Sequence, residues 1–372
     1  MKLGVFGGAF DPLHKEHIKI IEESRRILAL DGVILLPTIN PPHKEQASTS
    51  FEHRVEMLKV WAKGKDYIFI DETEKELNYK NSYTYRVLPH LVKKYKGAEL
   101  IYIIGGDSML RFHTWMRPER IAGTIKIAAA GREGYPNLLE AISAAQRRYG
   151  ADITLLNITG SSVSSAELRA CLELGLDTKD NVPEEILAYI SQNNLYTKHC
   201  KLVAAVRTAL SPKLFAHCAR TVAFAMRYAG ILNLPSDKVF YAALLHDIAK
   251  ERQPILPQHS IFLPKIVHQY DGRTVAQIEY GIDDEDILDA IGFHTTAKPN
   301  MTNLGKLIYV ADKLEEGRTY DGVERLRTIT DTDFHTGFRL TLKHSYKTIK
   351  KKGGKIDRLT EEAHKYYSHN VV

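Results

Sequence analysis

Only three cysteines occur in 372 residues, Cys171, Cys200 and Cys218, and no two of them form a CxxC pair. Their scarcity excludes a disulfide framework and a zinc–thiolate site, and it fits a reducing compartment. No run approaches the ~18 apolar residues of a membrane helix. The start, MKLGVFGGAFDP, is apolar too briefly for a secretory leader, because Asp11 interrupts it. Internal repeats and low-complexity linkers are also missing. Charge of one sign is in small excess, 51 Lys and Arg against 45 Asp and Glu, for a net charge of +6. The cations are scattered, apart from a lysine-rich tail around Lys347, Lys350, Lys351 and Lys352. That balance argues against a nucleic-acid partner and suits an enzyme of phosphorylated metabolites. A cytoplasmic protein without a membrane partner is expected, and no feature speaks to oligomeric state.

What is present divides in two. Up to about residue 196, strand-like pieces alternate with helical ones. LGVF, GVILLP, YIFID, ELIYIIGG, TIKIAAAG and DITLLN are separated by helical periodicity near His17–Leu30, Arg54–Ala62, Thr84–Tyr95 and Leu138–Tyr149. That order predicts a parallel sheet covered on both faces, with a ligand beyond the carboxyl ends of its strands. From Leu202 onward the apolar spacing is helical, and prolines at 212, 235, 254, 257 and 264 punctuate it. Two domains are expected, 1–197 and 198–372.

The stretch GVFGGAFDPLHKEH, residues 4–17, places Gly7 and Gly8 after the first strand and His14 and His17 at the start of the next helix. Glycines let a backbone approach a ligand closely. A helix N-terminus favours anions, and imidazoles there can bond phosphate oxygens as charge builds on them. GGAFDPLHKEH resembles the signature of the nucleotidylyltransferases. Pro41-Pro42-His43-Lys44, Ser82-Tyr83-Thr84, Gly105-Gly106-Asp107-Ser108, Trp115 and VSSAELR at 163–169 follow in the order of the bacterial nicotinate-nucleotide adenylyltransferases, as does VPEEILAYISQNNLY at 182–196.

The resemblance implies a Rossmann-like domain that transfers AMP from ATP to nicotinate mononucleotide, with Mg²⁺ accompanying the ATP. His14 and His17 would hold the α-phosphate. Ser164, Ser165 and Arg169 would take the β and γ phosphates, with Lys44 adding charge. Gly7, Gly8, Phe10, Gly105 and Asp107 would bind the nucleotide, and Tyr83, Thr84 and Trp115 the nicotinate. Ala9, Glu16 and Ala166 depart from the family pattern and could retune the activity.

In the second half, His246-Asp247 ends the apolar run AALLHDIAK, and His217, His268, His294 and Asp312 also stand among apolar residues. Buried ionisable groups need partners, and a metal would satisfy them together. Four imidazoles and two carboxylates exceed the usual ligand count of one ion, and nitrogen and oxygen donors suit iron, manganese, zinc or cobalt. The order H…HD…H…H…D resembles the HD-type metal-dependent phosphohydrolases, in particular the bacterial subgroup that splits diadenosine tetraphosphate symmetrically. The resemblance implies an all-α HD domain with a dinuclear centre bridged by Asp247, and Lys250 and Arg318 holding the polyphosphate. His268-Gln269-Tyr270-Asp271-Gly272-Arg273 replaces the family's frequent HGxxGA. Hydrolysis of other nucleotides, or a regulatory nucleotide- and metal-binding module, remain open alternatives.

Overall fold

The computed structural model describes residues 1–39, 48–131, 137–158, 163–254 and 263–369. The chain separates into two compact units, Met1–Ser165 with Thr178–Tyr196, and Ala166–Asp177 with Thr197–Val372.

The first unit is built on six parallel strands: β1 (Lys2–Gly8), β2 (Gly32–Pro37), β3 (Ile68–Ile70), β4 (Glu99–Gly105), β5 (Lys126–Gly131) and β6 (Ile153–Asn157). They coincide with the six apolar pieces of the sequence. GVILLP is buried at every position, as a central parallel strand covered on both faces must be. The connecting helices are α1 (Lys15–Leu28), α2 (Phe51–Ala62), α3 (Thr73–Leu77), α4 (Thr84–Lys94), α5 (Gly106–Leu110), α6 (Pro118–Ala122) and α7 (Leu138–Tyr149). After α8 (Ser165–Leu174), α9 (Glu184–Gln192) returns to pack on α2. The strand order is β3-β2-β1-β4-β5-β6. The chain therefore winds outward one way from β1, then returns to β4 and winds the other way. This leaves a crevice beyond the carboxyl ends of β1 and β4, the position at which doubly wound sheets take their ligands.

The second unit is helical: α10 (Cys200–Ala209), α11 (Pro212–Ala229), α12 (Ser236–Leu245), α13 (Val267–Tyr280), α14 (Glu285–Gly292), α15 (Asn303–Leu314), α16 (Val323–Thr332), α17 (Phe334–Lys351) and α18 (Arg358–His369). Helix starts follow side-chain caps that the sequence displays. Ser211, Asp284, Thr302 and Asp333 each accept a backbone N–H of their own first turn, and Pro212 opens α11. The core is formed mainly by α11, α12, α14 and α15, with Ala170 and Leu174 of α8 joining it. No helix among the described residues is long and apolar enough to cross a membrane.

Candidate functional site

In the first unit the site begins where β1 ends. A Cβ at Gly7 would lie 3.0 Å from the Tyr102 hydroxyl, and one at Gly8 3.1 Å from the Phe10 ring, so side chains there would crowd this turn. Phe10 holds a left-handed backbone with φ of 49°, a strained state for an aromatic residue. Its ring is fixed edge-on to Phe6 at 5.7 Å and to His17 at 5.3 Å. Asp11, fully buried, accepts hydrogen bonds from Ser48 N at 2.8 Å, Ser48 Oγ at 3.0 Å and the Tyr196 hydroxyl at 2.9 Å. Buried Arg54 donates to the carbonyl of Ala9 at 2.6 Å. Two charged residues thus set the path of the GGAFDP turn into α1.

His14 is the N-cap of α1 and His17 lies in its first turn; their rings face each other at 3.9 Å. Nε2 of His14 is 3.1 Å from Oγ of Ser165, the first residue of α8. Arg169, one turn along α8, belongs to the second unit. Beyond β4, a Cβ at Gly105 would come within 2.6 Å of Oδ1 of Asp107, which stands exposed at the start of α5. Tyr83 caps α4, and Thr84 bonds Tyr102, the side chain that closes on Gly7. Trp115 is half-buried, its ring 5.5 Å from Phe112. Lys44 and the rest of Pro41–Lys44 lie outside the described residues.

In the second unit, the six residues singled out from sequence converge. Nε2 of His217, Nε2 of His246, Oδ2 of Asp247 and Oδ1 of Asp312 form one donor group, and Oδ1 of Asp247 with Nε2 of His268 and His294 forms another. Asp247, wholly buried, turns one oxygen to each group.

The tautomers follow from the outer partners. Nδ1 of His246 donates to the Ala243 carbonyl at 2.7 Å, and Nδ1 of His217 faces Glu315 Oε1 at 3.1 Å. Both Nε2 atoms therefore face the donor group, and they lie 3.2 Å apart. Nδ1 of His294 donates to the Ile291 carbonyl at 2.8 Å, leaving its Nε2 aimed at that of His268, also 3.2 Å away. Oδ1 of Asp247 is buried and lacks a hydrogen-bond partner. Imidazole nitrogens and carboxylate oxygens that converge in a buried pocket need a proton or a cation among them, and nitrogen and oxygen donors in this number fit a divalent metal at each group.

Charge is tuned accordingly. Burial opposes ionisation of Asp247 and Asp312, yet His246 beside Asp247, and Lys313 with His217 beside Asp312, hold both carboxylates well below the usual range. Burial likewise opposes charge on His246, but Asp247 and Asp312 outweigh it and lift the imidazole to about 9. Burial and the neighbouring His294 push His268 down to about 3, and burial lowers His294. Lys250 Nζ bonds Asp247 Oδ2 at 2.6 Å, and Arg318 Nη2 bonds Asp312 Oδ1 at 2.8 Å, so both cations stand at the donor groups.

Residues 5–171 match a family model described as cytidylyltransferase-like, and residues 214–317 match the HD domain. A probable nicotinate-nucleotide adenylyltransferase of Exiguobacterium sibiricum is 32% identical over 196 residues, 53% of this chain and 99% of that protein. The chain belongs to the nicotinate-nucleotide adenylyltransferase family. An HD domain follows the adenylyltransferase half. Both halves are spanned by a probable nicotinate-nucleotide adenylyltransferase/Ap4A hydrolase of Mycoplasma pneumoniae, 25% identical over 358 residues, which cover 91% of this chain and 98% of that one. A solved structure described as a predicted HD superfamily hydrolase involved in NAD metabolism, from Clostridium acetobutylicum, is 34% identical, covering 46% of this chain and 97% of that one with a TM-score of 0.43.

Several residues of this adenylyltransferase–HD chain carry no sequence signal. Glu315 Oε2 accepts from Arg220 Nε at 2.5 Å and from Gly317 N at 2.6 Å while its other oxygen orients His217. Thr295 Oγ1 lies 3.2 Å from His268 Nε2 and 3.0 Å from His294 Nε2. Lys313 Nζ donates to the His294 carbonyl at 2.9 Å and to Asp312 Oδ2 at 3.0 Å, tying the donor groups together. In sequence these are a charge at a helix end, a threonine and one lysine among many.

Proposed function

We propose that the chain is a bifunctional enzyme. Its first unit transfers AMP from ATP to nicotinate mononucleotide, and its HD domain hydrolyses diadenosine tetraphosphate to two ADP. The first reaction needs no general base, because the attacking phosphate is already an anion; positioning and charge neutralisation suffice. His14 and His17, their rings 3.9 Å apart at the start of α1, hold the α-phosphate as charge grows on it. Ser164 and Ser165 meet the outer phosphates, Asp107 the ribose, and Tyr83, Thr84 and Trp115 the nicotinate ring. The glycines at 7, 8 and 105 keep the strand ends open to the nucleotide. Mg²⁺ travels with the ATP.

The observation that carries the second activity is Asp247, whose two oxygens serve two donor groups inside one pocket. His217, His246 and Asp312 would hold one ion, and His268 and His294 the other. Divalent iron, manganese, zinc or cobalt bound there supplies Lewis acidity toward phosphate oxygens and an acidified water. Lys250 and Arg318 present cations where a polyphosphate would enter. The full-length similarity to a probable adenylyltransferase/Ap4A hydrolase supports the pairing of activities.

The test is product analysis. The protein with Mn²⁺ or Fe²⁺ and diadenosine tetraphosphate should yield ADP alone, and Asp247→Ala should abolish that while leaving pyrophosphate release from ATP and nicotinate mononucleotide intact. His17→Ala should do the reverse. ATP plus AMP as products, or no turnover with either metal, would overturn the hydrolase reading. Unchanged pyrophosphate release in His17→Ala would overturn the phosphate role.

A further inference from the structure

The charge of this chain is unevenly placed. Residues 334–372 hold nine Lys and Arg against three Asp and Glu, whereas residues 1–333 hold 42 of each, so the entire net charge of +6 sits in this C-terminal segment. On α17 the cations recur at Arg339, Lys343, Lys347 and Lys350. At ~100° and ~1.5 Å per residue they occupy a single arc of about 80° along roughly 16 Å of helix.

Like charges one turn apart destabilise a helix. Some lysines elsewhere in the chain are offset, as Lys59 is by Glu56 at 2.8 Å, Lys94 by Asp71 at 3.0 Å and Lys238 by Asp284 at 2.6 Å. Among the described residues none of the four α17 cations has an ion pair; Arg339 donates to the neutral Thr336 hydroxyl at 2.9 Å. The row is thus left for an external anion.

The surroundings narrow what that anion is. A hollow of about 210 Å³ opens beside the row, lined by Arg339, Lys343, His364, Tyr367 and Ser368 together with two leucines, and no carboxylate lines it. Tyr346, about 20° to one side of that arc of α17, stacks on His364 of α18 with ring centroids 4.0 Å apart and planes within 16°. Cations in a row beside aromatic faces suit a chain of phosphates with unpaired bases, since every base presents a π-face. Anionic lipid would use the row and leave the aromatic plate idle.

We propose that the α17–α18 face binds single-stranded nucleic acid, with phosphates on Arg339, Lys343, Lys347 and Lys350 and bases against the Tyr346–His364 stack and the adjoining hollow.

The test is fluorescence anisotropy of the full chain with a labelled single-stranded 20-mer RNA over a range of salt. Four phosphate contacts give a slope of log K against log salt near −3, about a 50-fold loss between 50 and 200 mM. Lys343→Gln with Lys347→Gln should reduce the magnitude of that slope by about 1.4. Both residues are exposed, so the melting temperature should hold. Tyr346→Ala should weaken binding by about fivefold or more through lost stacking. No binding, binding unmoved by the lysine substitutions, equal affinity for duplex that ignores Tyr346→Ala, or preference for anionic phosphatidylglycerol vesicles over RNA would each overturn the proposal.

Discussion

Asp247 and His246 are neighbours in sequence with opposite electrostatic tasks. The carboxylate is ionised at any physiological pH, whereas the imidazole keeps a proton up to about 9 because Asp247 and Asp312 outweigh its burial. A metal ligand must be deprotonated, so loading the His246 group expels one proton. His268 and His294 are held neutral and expel none. Metal affinity should therefore rise about tenfold per pH unit up to pH ~9 and then level off. Calorimetry in two buffers of different ionisation enthalpy reads the proton directly; release of none, or of two, would contradict this assignment. Glu315 acts one bond further out. Its pKa is held at about 2, burial being outweighed by His217 and Arg220. Glu315→Gln weakens the hold on His217 Nδ1 and should cost roughly 10–100-fold in metal affinity while the fold persists. Equilibrium dialysis with Mn²⁺ measures it. The convergence of His217, His246, Asp247, His268, His294 and Asp312 was legible in sequence because ionisable groups in apolar runs demand partners. Glu315, Thr295 and Lys313 were not, because a single polar residue has no pattern until the fold supplies its neighbour.

At the scale of elements, the alternation of strands and helices was read correctly because parallel strands are continuous apolar runs, and Leu138–Tyr149 emerged at the predicted bounds. Other starts shifted by a turn or less where caps decided them: α2 begins at Phe51, one turn before Arg54, because Ser50 accepts from His53 N. Packing between elements was invisible. Gly337 lies inside α17, where helix propensity alone favours alanine by about 1 kcal/mol. A Cβ there would sit 2.6 Å from Thr330 Cα of α16, and that backbone cannot move aside as a side-chain tip could. The clash outweighs the propensity, since overpacking costs about 1–3 kcal/mol. Gly337→Ala should lower stability in urea unfolding; a rise would show that α16 and α17 are not this close.

At the scale of the molecule, the sequence suggests a single cut at 197/198, yet the chain crosses between units more than once. Ala166–Asp177 groups with the helical unit before Thr178–Tyr196 returns to the first. The reason is burial on α8: Ala170 and Leu174 enter the helical core, Glu167 pairs with Arg227 at 2.7 Å, and Glu173 meets His199 Nδ1 at 3.0 Å. An all-α boundary drawn from periodicity misses this, because α8 reads as one more helix of the α/β alternation. A fragment of residues 198–372 loses all of these contacts. Removing Leu174 alone forfeits about 1.5–3 kcal/mol of apolar burial. Arg227, lifted above its ordinary pKa because Glu167 outweighs its burial, keeps Glu316 at 2.8 Å as its ion partner. The metal-loaded fragment should thus unfold at lower urea than the helical unit of the full chain, by roughly 3 kcal/mol or more. A fragment of residues 166–372 should recover most of that loss, because it restores α8 as a segment of the same core. If 198–372 proves as stable as 166–372, α8 is a passenger on the helical unit, and the cut belongs where the periodicity placed it.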